Sequence, residues 1–162
     1  MDPAPVELVD VREVAPAAAQ VVAAFECDHA ELLAEVDVHH IGATSLPAGH
    51  TKGDVDVNVR VGEAGFAQLV AALRERLAVA QPENWTPTFA SFAADGYPLP
   101  LGVQVTVIGS ESDFLLALRD RLRADPVALQ RYDDAKLAAA AGGAGAYWQA
   151  KDGLLRELLG EQ

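Results

Sequence analysis

The sequence predicts an α/β protein of the α+β kind, with helices flanking a mixed sheet and a helical last third. Three observations predict it: one segment of strict two-residue alternation, two apolar runs joined by a turn, and Ala- and Leu-rich segments with helical spacing. The length fits one domain over residues 1–162. We expect the sheet within about residues 36–110 and the helical part within about residues 112–160.

The first elements are a short extended stretch, a helix and a strand. Residues 6–11 are extended, and Pro16 suits the first position of an Ala-rich helix that reaches Val36. Residues 36–41 then alternate in the manner of a strand, which we expect to end at Gly42.

The firmest strand signal is the segment 54–61, which reads Asp-Val-Asp-Val-Asn-Val-Arg-Val. Its strict alternation predicts that the valines face the core. Asp54, Asp56, Asn58 and Arg60 then face the opposite side of the sheet.

A second helix and two further strands complete the predicted sheet layer. Apolar residues at helical spacing predict a helix over residues 64–79. Two apolar runs, 86–93 and 101–108, flank a turn-rich segment at 95–98 and predict a hairpin-like pair of strands.

The chain after Ser112 is predicted to be helical. Asp125 and Pro126 suit a helix cap and a first helical position, so we expect one helix to end near Arg123 and another to begin here. A last helix is expected from about 146 to 159.

Charge and composition restrict the classes of partner. The net charge of −12 opposes binding along a phosphate backbone, so nucleic acid is not an expected partner. No stretch approaches the roughly 20 apolar residues that cross a bilayer, and the start Met-Asp-Pro lacks a basic region followed by an apolar one, so we expect no membrane association and a cytoplasmic location. Small phosphorylated ligands remain compatible, because a metal ion and a few cations reverse the sign of the field inside one cleft. The oligomeric state is not predicted.

Asp54 and Asp56 are candidate metal ligands. Residues two apart on a strand share a face, with backbone positions about 6 to 7 Å apart. Without a cation, two such carboxylates repel by roughly 2 to 3 kcal/mol at an effective dielectric near 20, and Mg²⁺ would turn that repulsion into attraction. The structural alternative is an ordinary polar face on a half-solvated strand.

The turn that precedes these acids is a candidate phosphate site. Gly42 lets the backbone approach an anion, and the hydroxyls of Thr44 and Ser45 are potential donors to its oxygens. Lys52 adds a cation nearby. The alternative is a capped turn in which Ser45 satisfies local backbone groups.

At these residues the chain resembles the GrpB family, whose domain belongs to the nucleotidyltransferase superfamily related to polymerase beta. The resemblance rests on residues 40–47, Lys52, Asp56, residues 118–123, Pro126, Tyr132, Lys136 and Lys151. It implies that residues 42–45 hold a nucleoside triphosphate, and that Asp54 and Asp56 act as catalytic carboxylates holding Mg²⁺ for nucleotidyl transfer to a small molecule.

One departure from the superfamily pattern opens an alternative. Active members carry a third carboxylate on a later strand, but residues 101–108 contain no acid, and Gln104 or Thr106 would occupy that face. Asp95 or Asp113 could supply the acid from a loop. Without it, the chain would be a non-catalytic module that senses a ligand or binds a partner.

Four cations in the helical part are candidate phosphate ligands. Arg119 and Arg123 lie four residues apart on one helix face, and Lys136 and Lys151 follow on later helices. The alternative for this region is an ion-paired helical surface.

The histidines near the turn invite a zinc interpretation, which their spacing opposes. His39 and His40 are adjacent on a strand and therefore point to opposite faces, away from a shared ion. We expect His40 to orient Thr44 or a phosphate oxygen instead.

Overall fold

The computed structural model describes residues 7–141. Its helices and strands, in chain order, are β1 (Val9–Asp10), α1 (Val11–Asp28), α2 (Ala30–Leu33), β2 (Asp37–Ile41), β3 (His50–Thr51), β4 (Val55–Val61), α3 (Glu63–Arg74), β5 (Ala78–Val79), β6 (Phe89–Ala94), β7 (Leu101–Val107), α4 (Leu115–Ala124) and α5 (Pro126–Ala140). Two 3-10 turns occur, at Ala43–Ser45 and Pro82–Asn84.

Five of the strands form one mixed sheet in the order β2-β4-β7-β6-β5. The central strands β4 and β7 run parallel, and every other neighbouring pair is antiparallel. The short strands β1 and β3 pair separately. The predicted mixed sheet with flanking helices is therefore confirmed.

The core lies on the valine face of β4, as the alternation predicts. Val55, Val57 and Val59 are fully buried and belong to one apolar cluster with Phe25 of α1 and Leu73 of α3. Burial on this face fixes the register of the strand, because a slip of one residue would place the polar side chains in the core.

The first helix begins earlier than its proline indicates. It starts at Val11, because the Asp10 side chain accepts a hydrogen bond from the Arg12 backbone N–H and caps the first turn, while Pro16 lies inside the helix. It ends at Asp28, and the short helix α2 follows before the strand. The prediction of one helix from Pro16 to Val36 was therefore wrong at both ends.

The helix predicted over 64–79 is also shorter than expected. It ends at Arg74, and Ala78–Val79 leave it to form an edge strand that pairs with Ala93 and Phe92 of β6. Pairing across the sheet overrides the continued helical spacing of the local sequence.

The two helices after the sheet meet as predicted. The Asp125 carboxylate accepts hydrogen bonds from the N–H groups of Val127 and Ala128 and caps α5. A second apolar cluster joins these helices to the loop after β2: Leu46, Leu118, Leu122, Ala128 and Tyr132. The helix expected over 146–159 and Lys151 lie outside the described residues. No helix within residues 7–141 is long and apolar enough to cross a membrane.

Candidate functional site

The polar face of the central strands brings the predicted site residues together. Sheet register places Asp56 between Ile41 at the end of β2 and Gly102 near the start of β7. The next residue of β4 on the same face is Asn58, which pairs with Gln104 of β7. The polar face of β4 thus meets the end of β2, where the Gly42 turn begins.

The Asp56 carboxylate lies in a slot between two glycines. A Cβ atom added to Gly42 would lie 2.7 Å from Asp56 Oδ2, and one added to Gly102 would lie 2.7 Å from Asp56 Oδ1. Real Cβ atoms do not approach so closely, so both neighbours must lack a side chain for the carboxylate to stand there. Gln104 Nε2 lies 3.5 Å from Asp56 Oδ1, a long contact for a hydrogen bond.

Asp54 has a different environment from Asp56. It precedes the first residue of β4, and its side chain is 46% exposed. Lys52 Nζ lies 3.3 Å from Asp54 Oδ2, so this carboxylate already has a cation beside it. The two predicted metal ligands are therefore unequal, with Asp56 fixed by its neighbours and Asp54 at the solvent edge.

The Gly42 turn is held together by its own hydroxyls. Gly42 has φ 75°, in the left-handed region that favours glycine. The Ser45 hydroxyl donates to the Gly42 carbonyl at 2.6 Å, and the buried Thr44 hydroxyl donates to the Asp54 carbonyl at 3.3 Å. These are the contacts of the capped-turn alternative, and the phosphate contacts of both hydroxyls stay a prediction.

The turn still presents main-chain donors. Within the part of the chain that the structure describes, the N–H groups of Ala43 and Thr44 make no hydrogen bond, whereas those of Ser45 and Leu46 bond back into the turn. Such N–H groups at the start of a helical turn are suited to an anion.

His40 contacts the turn as expected. Its Nε2 lies 2.9 Å from Thr44 Oγ1. Burial, with added repulsion from Arg123 and Arg119, lowers the pKa of His40 to about 4. The ring is therefore neutral at neutral pH and supports Thr44 by a hydrogen bond without adding charge.

The two predicted arginines of α4 contact the main chain of this segment. Arg119 Nη1 donates to the His40 carbonyl at 3.0 Å, and Arg123 donates to the Ser45 carbonyl from Nε at 3.1 Å and Nη2 at 2.8 Å. Arg119 also pairs with Asp120 at 2.9 Å. Both arginines thus lie at the turn, bound to its carbonyl groups.

Lys136 lies beneath the loop that follows the turn. It is 3% exposed, its Nζ donates to the His50 carbonyl at 2.7 Å, and it stands over the Tyr132 ring. Asp133, which sequence reasoning missed, accepts from the His50 N–H at 2.7 Å and contacts its Nδ1 at 2.9 Å. The signal that could have found Asp133 is its position three residues before Lys136, on the same helix face.

The polar face of β7 carries Gly102, Gln104 and Thr106, and no acid, as the sequence predicts. Thr106 is fully buried and accepts from Asn58 Nδ2 at 3.0 Å, and Asn58 Nδ2 also donates to the Gln104 carbonyl at 3.1 Å. These hydrogen bonds join Asn58 of β4 to β7, so Thr106 lies on the face where we expected it and bonds to Asn58 there.

Asp113 does not replace the third acid. Its carboxylate binds Arg60 in a two-pronged contact of 2.7 and 2.8 Å, and accepts from the Gly109 N–H. The Arg60 guanidinium lowers the pKa of Asp113. Arg60 is four residues beyond Asp56 on the same strand, about 13 Å away, so Asp113 serves the opposite end of the face.

The donor set fits Mg²⁺ better than zinc. Mg²⁺ prefers oxygen ligands and is commonly held through one or two carboxylates together with waters and substrate phosphates. Asp56 and Asp54 are the carboxylates that could contribute such ligands. Residues 7–141 contain no group of three or more histidine, cysteine or acidic side chains able to hold a metal ion. His39 contacts Asp37, and His50 contacts Asp133, so the histidines do not converge.

Fold and site together define an α/β protein with a mixed sheet and one slotted carboxylate beside a glycine turn. A family model described as GrpB protein matches residues 9–161, and the chain belongs to the GrpB family. A UPF0157 protein of Vibrio cholerae is 26% identical over 137 residues, which are 85% of this chain and 73% of that protein. The crystal structure of conserved protein GrpB from Enterococcus faecalis covers 96% of each chain with a TM-score of 0.73 and 22% identity, a likeness of fold.

Proposed function

We propose that this GrpB-family protein binds a nucleoside triphosphate together with Mg²⁺ at Asp56 and the Gly42 turn. The observation that carries the proposal is the Asp56 slot, since two neighbouring positions lack side chains and thereby keep one carboxylate at the mouth of a turn with open N–H groups. The backbone conformation of Gly42 already favours glycine, whereas Gly102 has no positive φ, so its lack of a side chain is explained by the space that the Asp56 carboxylate occupies.

Each residue has a defined part in this proposal. Asp56, with Asp54 beside it, would hold Mg²⁺, which when bound neutralises phosphate charge and orders the phosphate chain. The N–H groups of Ala43 and Thr44 would donate to phosphate oxygens, and Lys52 would supply a cation. The neutral His40 keeps Thr44 in place.

Binding is tested by calorimetry and thermal unfolding with ATP and other triphosphates, with and without Mg²⁺. At a ligand concentration 100 times the Kd, stabilisation is about 2.7 kcal/mol, which raises the melting temperature by roughly 5 to 10 °C for a chain of this size. Asp56→Asn should remove the Mg²⁺-dependent rise. Glu75→Gln is the matched control, because Glu75 is exposed at the end of α3 on the other side of the sheet. No rise with any triphosphate, or an undiminished rise in Asp56→Asn, would overturn the proposal.

Binding without nucleotidyl transfer is the second candidate function, as in a ligand-sensing or partner-binding module. It is favoured by the polar face of β7, where Gly102 and Gln104 lie in place of an acid, and by Asp113, which binds Arg60. A third carboxylate would serve as metal ligand or as base for the attacking hydroxyl.

Transfer and binding are separated by product analysis. We expect the wild type to bind Mg²⁺-ATP without releasing pyrophosphate in the presence of amine and hydroxyl acceptors. Pyrophosphate release above that of Asp56→Asn would instead assign nucleotidyl transfer to this site.

A further inference from the structure

Helix α4 holds the Gly42 turn at both ends by charged side chains. Arg119 and Arg123 are one helical turn apart, and they donate to the carbonyls of His40 and Ser45, which bracket the turn. In these bonds each cation meets a neutral carbonyl acceptor. Leu46, Leu118 and Leu122 pack in one apolar cluster, which fixes the helix against the loop.

The two arginines differ in how their charge is balanced. Arg119 has Asp120 as an ion-pair partner. Arg123 forms no ion pair with a carboxylate among the described residues, although Asp120 attracts it from a longer distance. Partial burial and the repulsion of Arg119 lower the pKa of Arg123, and the attraction of Asp120 opposes this only in part.

We propose that Arg119 and Arg123 are positioning residues that fix the Gly42 turn and give it a positive potential, so that the site selects ligands by the number of their phosphate charges. This inference rests on the proposed function and deepens it, since it names polyphosphates as the preferred ligand class. The arginines act through the turn carbonyls and through their charge, without touching the ligand.

The need for such charge follows from the acids nearby. Asp54 and Asp56 repel a phosphate chain, and the whole protein is strongly acidic. The positive charge of the two arginines offsets this repulsion, and the size of this effect grows with the negative charge of the ligand. Removing one positive charge about 10 Å from the ligand should weaken the binding of a triphosphate by about 10-fold and that of a monophosphate by about 3-fold.

The first test measures the binding of phosphate compounds to the turn in the absence of metal. Sodium tripolyphosphate and inorganic phosphate are titrated in EDTA by calorimetry into the wild type, Arg123→Gln, Arg123→Lys and Arg121→Gln. Arg121 is the matched control, because it lies on the same helix, carries the same charge and pairs with Asp125.

We expect Arg123→Gln to lose about 10-fold in tripolyphosphate affinity and far less in phosphate affinity. Arg123→Lys, which keeps the charge, should recover most of the loss, and Arg121→Gln should match the wild type. A merely structural role would weaken both ligands equally and would give no recovery with lysine. Equal losses for both ligands, no loss in Arg123→Gln, or no tripolyphosphate binding by the wild type would each overturn the inference.

A second variant tests the proposed function independently of the role of the arginines. Asp56→Asn should abolish Mg²⁺-ATP binding but keep or strengthen metal-free tripolyphosphate binding, because a repelling charge is gone. If Mg²⁺-ATP binds with Asp56 dependence while Arg123→Gln binds tripolyphosphate normally, the function stands and the role of the arginines does not. If the wild type binds tripolyphosphate with the expected Arg123 dependence but never binds Mg²⁺-ATP, the role of the arginines stands and the proposed function does not.

Discussion

Gly102→Ala, which adds one methyl group, should weaken ligand binding while leaving the stability of the fold nearly unchanged. The new Cβ of Gly102→Ala would lie 2.7 Å from Asp56 Oδ1, whereas ordinary contact begins at 3.4 Å. The carboxylate oxygen must therefore move by about 0.7 Å, and it can do so by rotating the short side chain. Gly102 does not have a positive φ, so the substitution introduces no backbone strain.

The expected magnitudes for stability and binding diverge. Alanine in place of glycine within a strand favours folding by roughly 0.5 to 1 kcal/mol, and the overlap with Asp56 opposes this by about 1 kcal/mol, so the net change in unfolding free energy should stay within about 1 kcal/mol. A ligand held through a displaced carboxylate should bind at least about 10-fold more weakly, or about 1.4 kcal/mol.

The assay pairs urea unfolding with calorimetric titration of Mg²⁺-ATP. Gly96→Ala is the control, since a Cβ there meets no atom within 4 Å. A Gly102→Ala protein with near-native stability and an unchanged Kd would refute the claim that the slot positions Asp56 for the ligand.

Three further predictions concern the bonds around the site. Asn58→Ala removes one buried and one partly buried hydrogen bond and leaves Thr106 without this donor, so urea unfolding should show a loss of about 1 to 3 kcal/mol. A loss below about 0.5 kcal/mol would contradict this. Arg60→Gln should lose about 3 kcal/mol at pH 7 because it strands the Asp113 carboxylate. Because Arg60 lowers the pKa of Asp113, the stabilisation by this ion pair is present above pH 3.8, the ordinary value of the carboxyl group, and is lost as the pH falls through the pKa of the folded state. The stabilities of the variant and the wild type should therefore converge in acid. A difference in stability that stays constant with pH would contradict this. His40 should titrate near pH 4 by NMR, with its destabilising protonation confined to pH values below its ordinary 6.5; a midpoint near 6.5 would show that the ring is not buried as described.

The sequence predicted the sheet best where burial and alternation agree. The valines of β4 have one face buried under α1 and α3, so the two-residue period marks both the strand and its orientation. Helix ends were harder, because Asp10 caps α1 six residues before Pro16, and because Ala78 leaves the helical pattern to pair with Ala93 across the sheet. Neither contact can be found from local spacing alone.

The candidate site was predicted in composition and only partly in arrangement. Asp56, Gly42 and Lys52 were singled out by spacing, but the place of Gly102 depends on parallel pairing between β4 and β7, which local patterns do not specify. The main-chain contacts of Arg123 likewise depend on how α4 packs against the turn. Charged residues on a helix can be named from sequence, but their partners cannot.

The central claim, that Mg²⁺ and a triphosphate meet at Asp56 between two glycines, is tested most directly by NMR with Mn²⁺-ATP. The paramagnetic ion should broaden the amide signals of Gly42 and Gly102 well before those of Gly62 and Gly109, which lie beyond the far ends of β4 and β7. Asp56→Asn should remove this difference. Binding of Mn²⁺-ATP that leaves Gly42 and Gly102 sharp, or broadens all four glycines equally, would contradict the account.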